Sequence, residues 1–313
     1  MHILDSIDAL PAGLRFVATV GVFDGMHRGH AVIVKAAVDA AMRLSAEPVV
    51  ITFEPHPQAV LRGVTPPLLC DPAEKLAHLE LVGVGTTVIQ LFDRAFSEQS
   101  AESFVERLTR GRDLCGMVMS SESAFGHDRA GTAESLRRFA ETAGWELVEV
   151  GTFDRGGGRV SSGRIRSAIE AGRLAEARRL LGRRYAVIGE VVHGDARGRS
   201  LGFPTANLGF AAPATLPPNG IYAVRASWGG RDPLHPARAV DGVASLGVRP
   251  TFGGGERLLE VHLLDFDEEI YGVRMRVEFI RYQRGEKRFS HVDALVAQIG
   301  RDVTRARRIL APE

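Results

Sequence analysis

The stretch Gly21-Val22-Phe23-Asp24-Gly25-Met26-His27-Arg28-Gly29-His30 ends an apolar run and begins a helical one. Residues 16–23 are rich in β-branched and aromatic side chains, which favour a strand, and residues 31–38 suit a buried helix. At such a junction, free backbone N–H groups and the positive end of the helix dipole favour an anion. The stretch therefore predicts a phosphate-binding turn.

Two histidines and several glycines give this turn its chemistry. His27 and His30 are three residues apart, so we expect them on one side of the first helical turn, where imidazoles can hold charge on a reacting phosphate. Taken alone, the pattern also fits two histidines that merely cap a helix. Glycines allow the backbone to approach a ligand closely. The predicted ATP- or phosphate-binding residues here are Gly21, Phe23, Asp24, Gly25 and Gly29.

The composition is that of an ordinary globular protein. Of the 313 residues 45% are apolar and 25% are charged, and 39 basic against 38 acidic residues give a net charge of +1. No global field therefore draws the chain to nucleic acid or to an acidic membrane. The two cysteines, a start without a basic or apolar leader, and the lack of a long apolar run predict a cytoplasmic protein without a membrane anchor.

Residues 1 to about 150 alternate apolar runs with segments of helical length. This alternation predicts an α/β domain with a doubly wound parallel sheet, in which ligands bind beyond the carboxyl ends of the strands. The turn at 24–30 and the stretch 52–57 both follow predicted strands, so we expect them to line one crevice. The predicted strands cover residues 16–23, 48–53, 87–92, 114–119 and 145–150, and the helices 29–44, 72–81, 101–110 and 132–143.

A second candidate phosphate site follows this region. Ser161 and Ser162 stand at the start of a predicted helix that runs to about Leu181, and Arg166 comes one turn later. Hydroxyls, helix N-terminal amides and a guanidinium together suit a triphosphate. An ordinary capped surface helix would have the same sequence features.

After Gly182 the chain changes to strand-like runs separated by Gly- and Pro-rich turns. This pattern predicts an antiparallel β-barrel closed by a helix over about 292–310. The predicted strands cover residues 185–193, 221–228, 237–246, 258–264 and 274–282. We therefore predict two domains, at residues 1–182 and 183–313.

The most specific stretch of the second domain is Gly194-Asp195-Ala196-Arg197-Gly198-Arg199-Ser200-Leu201-Gly202-Phe203-Pro204-Thr205-Ala206-Asn207-Leu208. Gly194, Gly198 and Gly202 recur at intervals of four and permit a loop whose backbone amides bind phosphates, with Arg199 beside them. Thr205 and Asn207 offer hard oxygen ligands for a Mg²⁺ that bridges ATP phosphates.

The segment from Gly198 to Asn207 is similar to that of riboflavin kinases, as are Pro218-Asn219-Gly220-Ile221-Tyr222 and Gly247-Val248-Arg249-Pro250-Thr251-Phe252. The strand Glu260-Val261-His262-Leu263-Leu264-Asp265-Phe266 fits the same pattern. The His-x-Gly-His motif with its upstream Phe-Asp-Gly resembles the nucleotidylyltransferase superfamily. As a whole, the chain resembles the prokaryotic bifunctional riboflavin kinase/FAD synthetase family.

The resemblance implies two ATP-dependent steps. Riboflavin becomes FMN in the barrel, with Glu260 as the catalytic carboxylate and Mg²⁺ at Thr205 and Asn207. FMN becomes FAD in the first domain, with release of pyrophosphate, and there His27 and His30 are the catalytic pair. The substrates are thus riboflavin, FMN and ATP, and the products are FMN and FAD. The predicted flavin-binding residues are Phe53, Pro55, His56, Phe125 and Arg249.

The sequence departs from the family in the first domain. A Gly-x-Asp-Phe-x-Phe-Gly segment is usual, whereas this chain has Ser120-Ser121-Glu122-Ser123-Ala124-Phe125-Gly126. Gly163 also stands where threonine is usual, and Ser245 where asparagine is often found. The alternative interpretation is therefore a riboflavin kinase whose first domain binds nucleotide or flavin without turnover. The sequence leaves the oligomeric state open.

Overall fold

The computed structural model describes residues 1–194, 197–248 and 257–311, and the chain divides into two compact units. The first unit contains Met1–Pro66 and Lys75–Ser162, and the second contains Pro67–Glu74 and Gly163–Glu313. The domain ranges 1–182 and 183–313 remain an interpretation of the sequence.

The first unit contains a six-stranded sheet whose strands are all parallel. Its spatial order is β1-β4-β3-β2-β5-β6. The predicted parallel α/β sheet is thus confirmed, and β1 is an added edge strand of three residues, too short to predict. The strands are β1 His2–Leu4, β2 Arg15–Val20, β3 Glu47–Glu54, β4 Thr86–Leu91, β5 Asp113–Ser120 and β6 Glu146–Val150.

Both faces of this sheet are buried, as the side-chain alternation along β2 indicates. Phe16 and Ala18 belong to one hydrophobic cluster, together with Leu108 and Leu136, whereas Val17 belongs to another. The helices are α1 Arg28–Arg43, α2 Pro57–Arg62, α3 Pro72–Val82, α4 Arg94–Ser97, α5 Ala101–Thr109 and α6 Ala133–Ala143, with 3₁₀ turns at Ile7–Ala9 and His127–Arg129.

The single helix predicted from about residue 161 to Leu181 is wrong, because two helices occupy this range. They are α7 Ser162–Glu170 and α8 Leu174–Leu181. Gly172 lies between them with φ +74°, a left-handed conformation that ends a helix, and the amide of Arg173 donates to Ala168 O at 2.8 Å.

The second unit contains a closed barrel of six antiparallel strands in the order β10-β11-β8-β7-β12-β9. The predicted antiparallel barrel with a final helix is confirmed. The elements are β7 Ala186–Val192, α9 Arg197–Ser200, β8 Ala206–Gly209, β9 Gly220–Trp228, β10 Arg238–Val248, β11 Arg257–Leu263, β12 Arg274–Arg284 and α10 Val292–Leu310.

Side chains along β11 point alternately into the barrel interior and onto its outer face. Leu259, Val261 and Leu263 are buried, whereas Glu260 and His262 are half-buried. The interior is thus an apolar core, and the functional carboxylate predicted at Glu260 projects on the outer face of the barrel. On that face α10 adds its own apolar contacts, since Ala306 and Leu310 pack with Ala223 and Val243.

A buried carboxylate ties the short segment Pro67–Glu74 to the barrel within the second unit. The side chain of Glu74 is 2% exposed and lies 3.3 Å from the guanidinium of Arg276 and 3.5 Å from that of Arg183. Removing one partner of such a buried pair leaves the other charges uncompensated.

We therefore expect Glu74→Gln to lower the free energy of unfolding of the second unit by about 3 kcal/mol. The measurement is urea unfolding in a Trp145→Phe background, where Trp228 of the barrel is the remaining tryptophan. Glu190→Gln, which changes an exposed carboxylate on β7 of the same unit, is the control and should change stability by less than about 1 kcal/mol. Equal effects of the two substitutions would contradict this role of Glu74.

Candidate active sites

The turn between β2 and α1 has the strained geometry of a preorganised loop. Phe23 and Met26 have φ of +51° and +35°, although neither is glycine, and both side chains are buried in one apolar cluster. Core packing therefore holds the turn in place. The close approach of the Phe23 ring to the backbone favours glycine at position 21, because a Cβ there would lie only 3.0 Å from that ring. Since the Phe23 side chain is buried, its backbone is the part available to a phosphate.

His27 and His30 are brought together at the start of α1, as the spacing predicts. His27 is the N-cap residue, and its Nδ1 accepts a hydrogen bond from the backbone N–H of His30 at 3.2 Å. When neutral, His27 therefore carries its ring proton on Nε2. The two rings stack with centroids 3.6 Å apart, and a Cβ on Gly29 would lie 3.2 Å from the His27 ring.

The surroundings of His30 keep its ring uncharged in the free protein. Burial lowers the pKa of His30 well below its usual value, and the positive charges of His27 and Lys75 lower it further. Among the residues that the structure describes, no group hydrogen-bonds the buried Nδ1 of His30. A bound anion beside the ring would raise the pKa of His30 again.

Lys75 is a candidate site residue that the sequence reading missed. Its Nζ donates to Thr52 Oγ1 at 3.0 Å, and Thr52 Oγ1 donates to Val22 O at 3.1 Å. These bonds link the carboxyl end of β3 with the turn after β2. Lys75 has no recognisable motif around it, and only tertiary packing brings it to this position.

Ser162, which belongs to the second predicted phosphate site, is hydrogen-bonded to the turn between β2 and α1. It begins α7, and its hydroxyl donates to Asp24 O at 3.1 Å, while Ser161 is half-buried just before it. Arg166 lies one turn along α7 in the second unit, where its Nε donates to Pro67 O at 2.7 Å. Asp24 and Gly25 are buried beside His27.

The predicted flavin-binding residues of the first unit extend an aromatic cluster. The Phe53 ring contacts those of Phe92 and Phe96 at 5.4 and 5.7 Å, and Phe125 contacts Phe104 at 5.0 Å. Phe53 and Phe125 are both half-buried, so each presents one side to solvent. His56 is the N-cap of α2, and Pro55 is exposed just before it. Arg249, the fifth predicted residue, lies outside the described residues.

In the second unit, the glycine-rich loop packs closely around Asn207. A Cβ on Gly194 would lie 2.2 Å from Asn207 Nδ2, and one on Gly198 would lie 2.3 Å from Phe203 O. Gly202 has φ +81°, which favours glycine. Arg199 is exposed and pairs with Glu269 at 3.2 Å. Asn207 belongs to β8, and its side chain is buried.

Glu260 lines a cavity of about 610 Å³ on the outer face of the barrel. On β11 it stands directly opposite Asn207 of β8, and Thr205 precedes that strand by one residue. The predicted carboxylate and both predicted metal ligands thus line one cavity. Other lining residues, which the sequence reading did not select, include Phe203, Ser245, Arg284, Glu286, Lys287 and Phe289.

A second cavity of about 300 Å³ shares Thr205 with the first. Arg199 and Tyr271 line it, together with interior barrel residues such as Val191 and Val261. Tyr271 also stacks on His193 at 3.8 Å. Thr205 therefore stands where the two cavities meet.

The residues around Thr205 fit a magnesium ion most of whose ligands are water molecules and phosphate oxygens. The hydroxyl of Thr205 and the amide oxygen of Asn207 are hard, neutral donors of the kind that Mg²⁺ accepts. Among the described residues, no group of three or more His, Cys, Asp or Glu side chains could hold a metal ion. A dedicated cage of protein carboxylates is thus absent from that part of the chain.

Comparisons with known proteins match both halves of the chain. A family model described as FAD synthetase matches residues 12–164, and one described as Riboflavin kinase matches residues 181–310. A relative from Escherichia coli strain K12, named bifunctional riboflavin kinase/FMN adenylyltransferase, is 36% identical over 293 residues, which are 93% of this chain and 91% of the relative. The chain belongs to the bifunctional riboflavin kinase/FMN adenylyltransferase family. The resemblance seen in the sequence is confirmed.

Other members of the bifunctional riboflavin kinase/FMN adenylyltransferase family are similarly close. Those from Listeria monocytogenes and Bacillus subtilis strain 168 are 35% and 33% identical, over 94% and 93% of this chain and 92% of each relative. A solved structure from Streptococcus pneumoniae, described as a macrolide-efflux protein, is 30% identical with a TM-score of 0.85, covering 97% of this chain and 98% of that one. In the described part of this chain, no helix is long and apolar enough to cross a membrane.

The residues that depart from the family pattern make contacts of their own. Ser120 and Ser123 hydrogen-bond through their hydroxyls at 2.6 Å, and Glu122 pairs with Arg159. Phe125, which the family shares, keeps its aromatic contact with Phe104. The substituted segment is therefore folded against its neighbours. A Cβ on Gly163 would meet nothing within 4 Å, so no steric reason requires glycine there.

Proposed function

We propose that this chain converts riboflavin to FMN in its barrel and FMN to FAD at the turn after β2, using ATP in both steps. The observation that carries the proposal is the cavity that brings Glu260 beside Thr205 and Asn207. Both family matches and the relatives' names favour two activities over the kinase-only alternative. The test is incubation with riboflavin, ATP and Mg²⁺, with chromatographic separation of riboflavin, FMN and FAD over time. FMN without FAD would favour the alternative.

In the kinase step, Glu260 accepts the proton of the terminal ribityl hydroxyl as that oxygen attacks the γ-phosphate of ATP; the bond from the γ-phosphorus to the bridging oxygen breaks and ADP leaves. The 610 Å³ cavity has apolar and aromatic residues suited to the flavin. The 300 Å³ cavity, with Arg199 and Tyr271, suits the nucleotide. Because Thr205 lines both, the phosphates and the attacking hydroxyl would meet beside it.

In the adenylyl step, the phosphate of FMN attacks the α-phosphate of ATP, and pyrophosphate leaves. No protein nucleophile is required, so positioning and charge stabilisation carry the catalysis. His27, His30 and Lys75 supply donors and positive charge, and the N-terminal amides of α1 add backbone donors. Ser161 and Ser162 contribute hydroxyls to the triphosphate. The half-buried rings of Phe53 and Phe125 contribute aromatic faces to the flavin.

The magnesium ion would be held by Thr205 and Asn207 and, when bound, neutralises charge on the ATP phosphates. We expect Thr205→Ala and Asn207→Ala each to raise the Mg²⁺ concentration for half-maximal kinase activity about tenfold, which corresponds to roughly 1.4 kcal/mol. Metal titration of FMN formation is the measurement. Thr304→Ala, on an exposed face of α10, is the control. An unchanged Mg²⁺ dependence in both cavity variants would remove these residues from the metal site.

We further infer a cytoplasmic enzyme that acts on small molecules and has no nucleic-acid or membrane partner. The balanced charge of the chain supports this, since a net charge of +1 gives no attraction to polyanions. Cys70 and Cys115 are both buried and neither forms a disulfide, which suits a reducing compartment.

A further inference from the structure

The carboxyl end of β3 holds the turn between β2 and α1 at two places. The backbone N–H of Gly21 donates to Ile51 O at 3.0 Å, and the next residue of β3, Thr52, donates through its hydroxyl to Val22 O at 3.1 Å. Thr52 is fully buried. Its side chain is thus fixed between the strand and the turn.

The same hydroxyl receives a charged donor from α3. Lys75 Nζ donates to Thr52 Oγ1 at 3.0 Å. An ammonium group can only donate hydrogen bonds, so Thr52 accepts from Lys75 and uses its own proton for Val22 O. The chemistry of these groups therefore fixes the direction of both hydrogen bonds between Lys75 and the turn.

Lys75 differs from the other lysines of this arginine-rich chain. The sequence has three lysines among 39 basic side chains, and Lys35 and Lys287 are both exposed. Lys75 is half-buried in the first unit. Burial is the main cause that lowers the pKa of His30, and the positive charges of His27 and then Lys75 add to it. The ammonium of Lys75 is thus directed towards the turn, where its charge reaches a predicted catalytic residue.

We propose that Thr52 positions the Lys75 ammonium at the turn, where it stabilises the negative charge of the ATP triphosphate during the adenylyl step. This inference rests on the proposed function of the first unit. In that step an oxygen of the FMN phosphate forms a bond to the α-phosphorus of ATP, the bond from that phosphorus to the bridging oxygen breaks, and pyrophosphate leaves with the electron pair. Lys75 stays protonated throughout and neutralises charge. Thr52 acts through Lys75 and is a positioning residue.

The test is the kinetics of FAD formation from added FMN and ATP in Thr52→Val, which removes the hydroxyl and keeps the branched shape of the side chain. We expect kcat/KM for ATP to fall roughly tenfold, the scale of a lost hydrogen bond to a charged group, with KM for FMN changed by less than about twofold. Thr52→Ser keeps the hydroxyl and should recover most of the loss.

The matched control for this substitution is Thr19→Val on β2 of the same sheet. Thr19 is also fully buried, but its hydroxyl has no hydrogen-bond partner in the part of the chain that the structure describes. Its substitution therefore removes a buried hydroxyl without breaking a hydrogen bond, and the kinetics should match those of the unmutated protein.

A double-mutant cycle with Lys75→Met separates positioning of the lysine from support of the turn. Lys75→Met keeps most of the side-chain length without the charge and should lower kcat/KM for ATP by about 10²-fold, whereas Lys35→Met should have no effect. If Thr52 acts through the ammonium, Thr52→Val adds no further loss in the Lys75→Met background. Equal losses in both backgrounds would show that Thr52 acts on the turn itself and would overturn the positioning role. Unaltered kinetics of Thr52→Val would overturn it as well.

Full FAD formation by Lys75→Met would overturn the role of the ammonium, whereas a lack of FAD from the unmutated protein would overturn the proposed function itself. The thermal unfolding midpoint checks folding. If Thr52→Val is unstable, Thr52→Cys, whose thiol is only a weak hydrogen-bonding group, replaces it with the same expected results.

Discussion

Glu260→Gln is expected to lower the rate of FMN formation from riboflavin by roughly 10²- to 10⁴-fold, the usual scale for a lost general base. Glutamine has nearly the same size and keeps a polar group in the cavity, but it cannot accept the ribityl proton. Initial rates at saturating riboflavin and ATP are the measurement. Conversion of added FMN to FAD should be unchanged, because Glu260 belongs to the barrel and His27 and His30 to the parallel-sheet unit.

The matched control for this substitution is Glu190→Gln. Glu190 is an exposed carboxylate on another barrel strand and lines neither of the two cavities described above. Its substitution should leave FMN formation within about twofold, as expected for a surface residue. If Glu260→Gln reduced FAD formation as strongly as FMN formation while the unfolding temperature stayed the same, Glu260 would not be specific to the kinase step.

The sequence predicts most of the fold because strong local signals agree with the tertiary structure. In the first unit, runs such as Pro48 to Phe53 are apolar on both faces, which is typical of parallel strands covered by helices. In the barrel, β11 alternates buried and half-buried residues with period two, so Glu260 could be placed on one face from the sequence alone.

What the sequence could not provide depends on contacts between distant segments. The strand Ala206–Gly209 has four residues, including asparagine and glycine, and pairing with β7 and β11 rather than propensity makes it a strand. Register likewise decides that Ser245 stands opposite Glu260, and register cannot be read from either strand separately. Lys75 acts on His30 only because the chain folds them together.

Substitution of both His27 and His30 by alanine is expected to abolish FAD formation almost completely, while FMN formation continues. Removing one donor to a developing charge typically costs about 10²- to 10³-fold, and the two stacked imidazoles occupy one side of the turn. FAD produced from added FMN and ATP is the measurement. In the unmutated protein, FAD should form at a measurable rate even though Ser123 replaces an aromatic residue of the family, because these donors are retained.

Helix capping must be separated from catalysis in this prediction, since His27 also caps α1. His27→Asn keeps a good capping side chain, so it should preserve stability and still lose most FAD formation. His291→Ala removes a histidine N-cap of the same geometry, because His291 Nδ1 accepts from Ala294 N at 3.2 Å, and it should leave FAD formation intact. If His27→Asn made FAD at the unmutated rate, the contribution of His27 would be structural. If the double alanine variant did so as well, the adenylyl step would take place without either histidine.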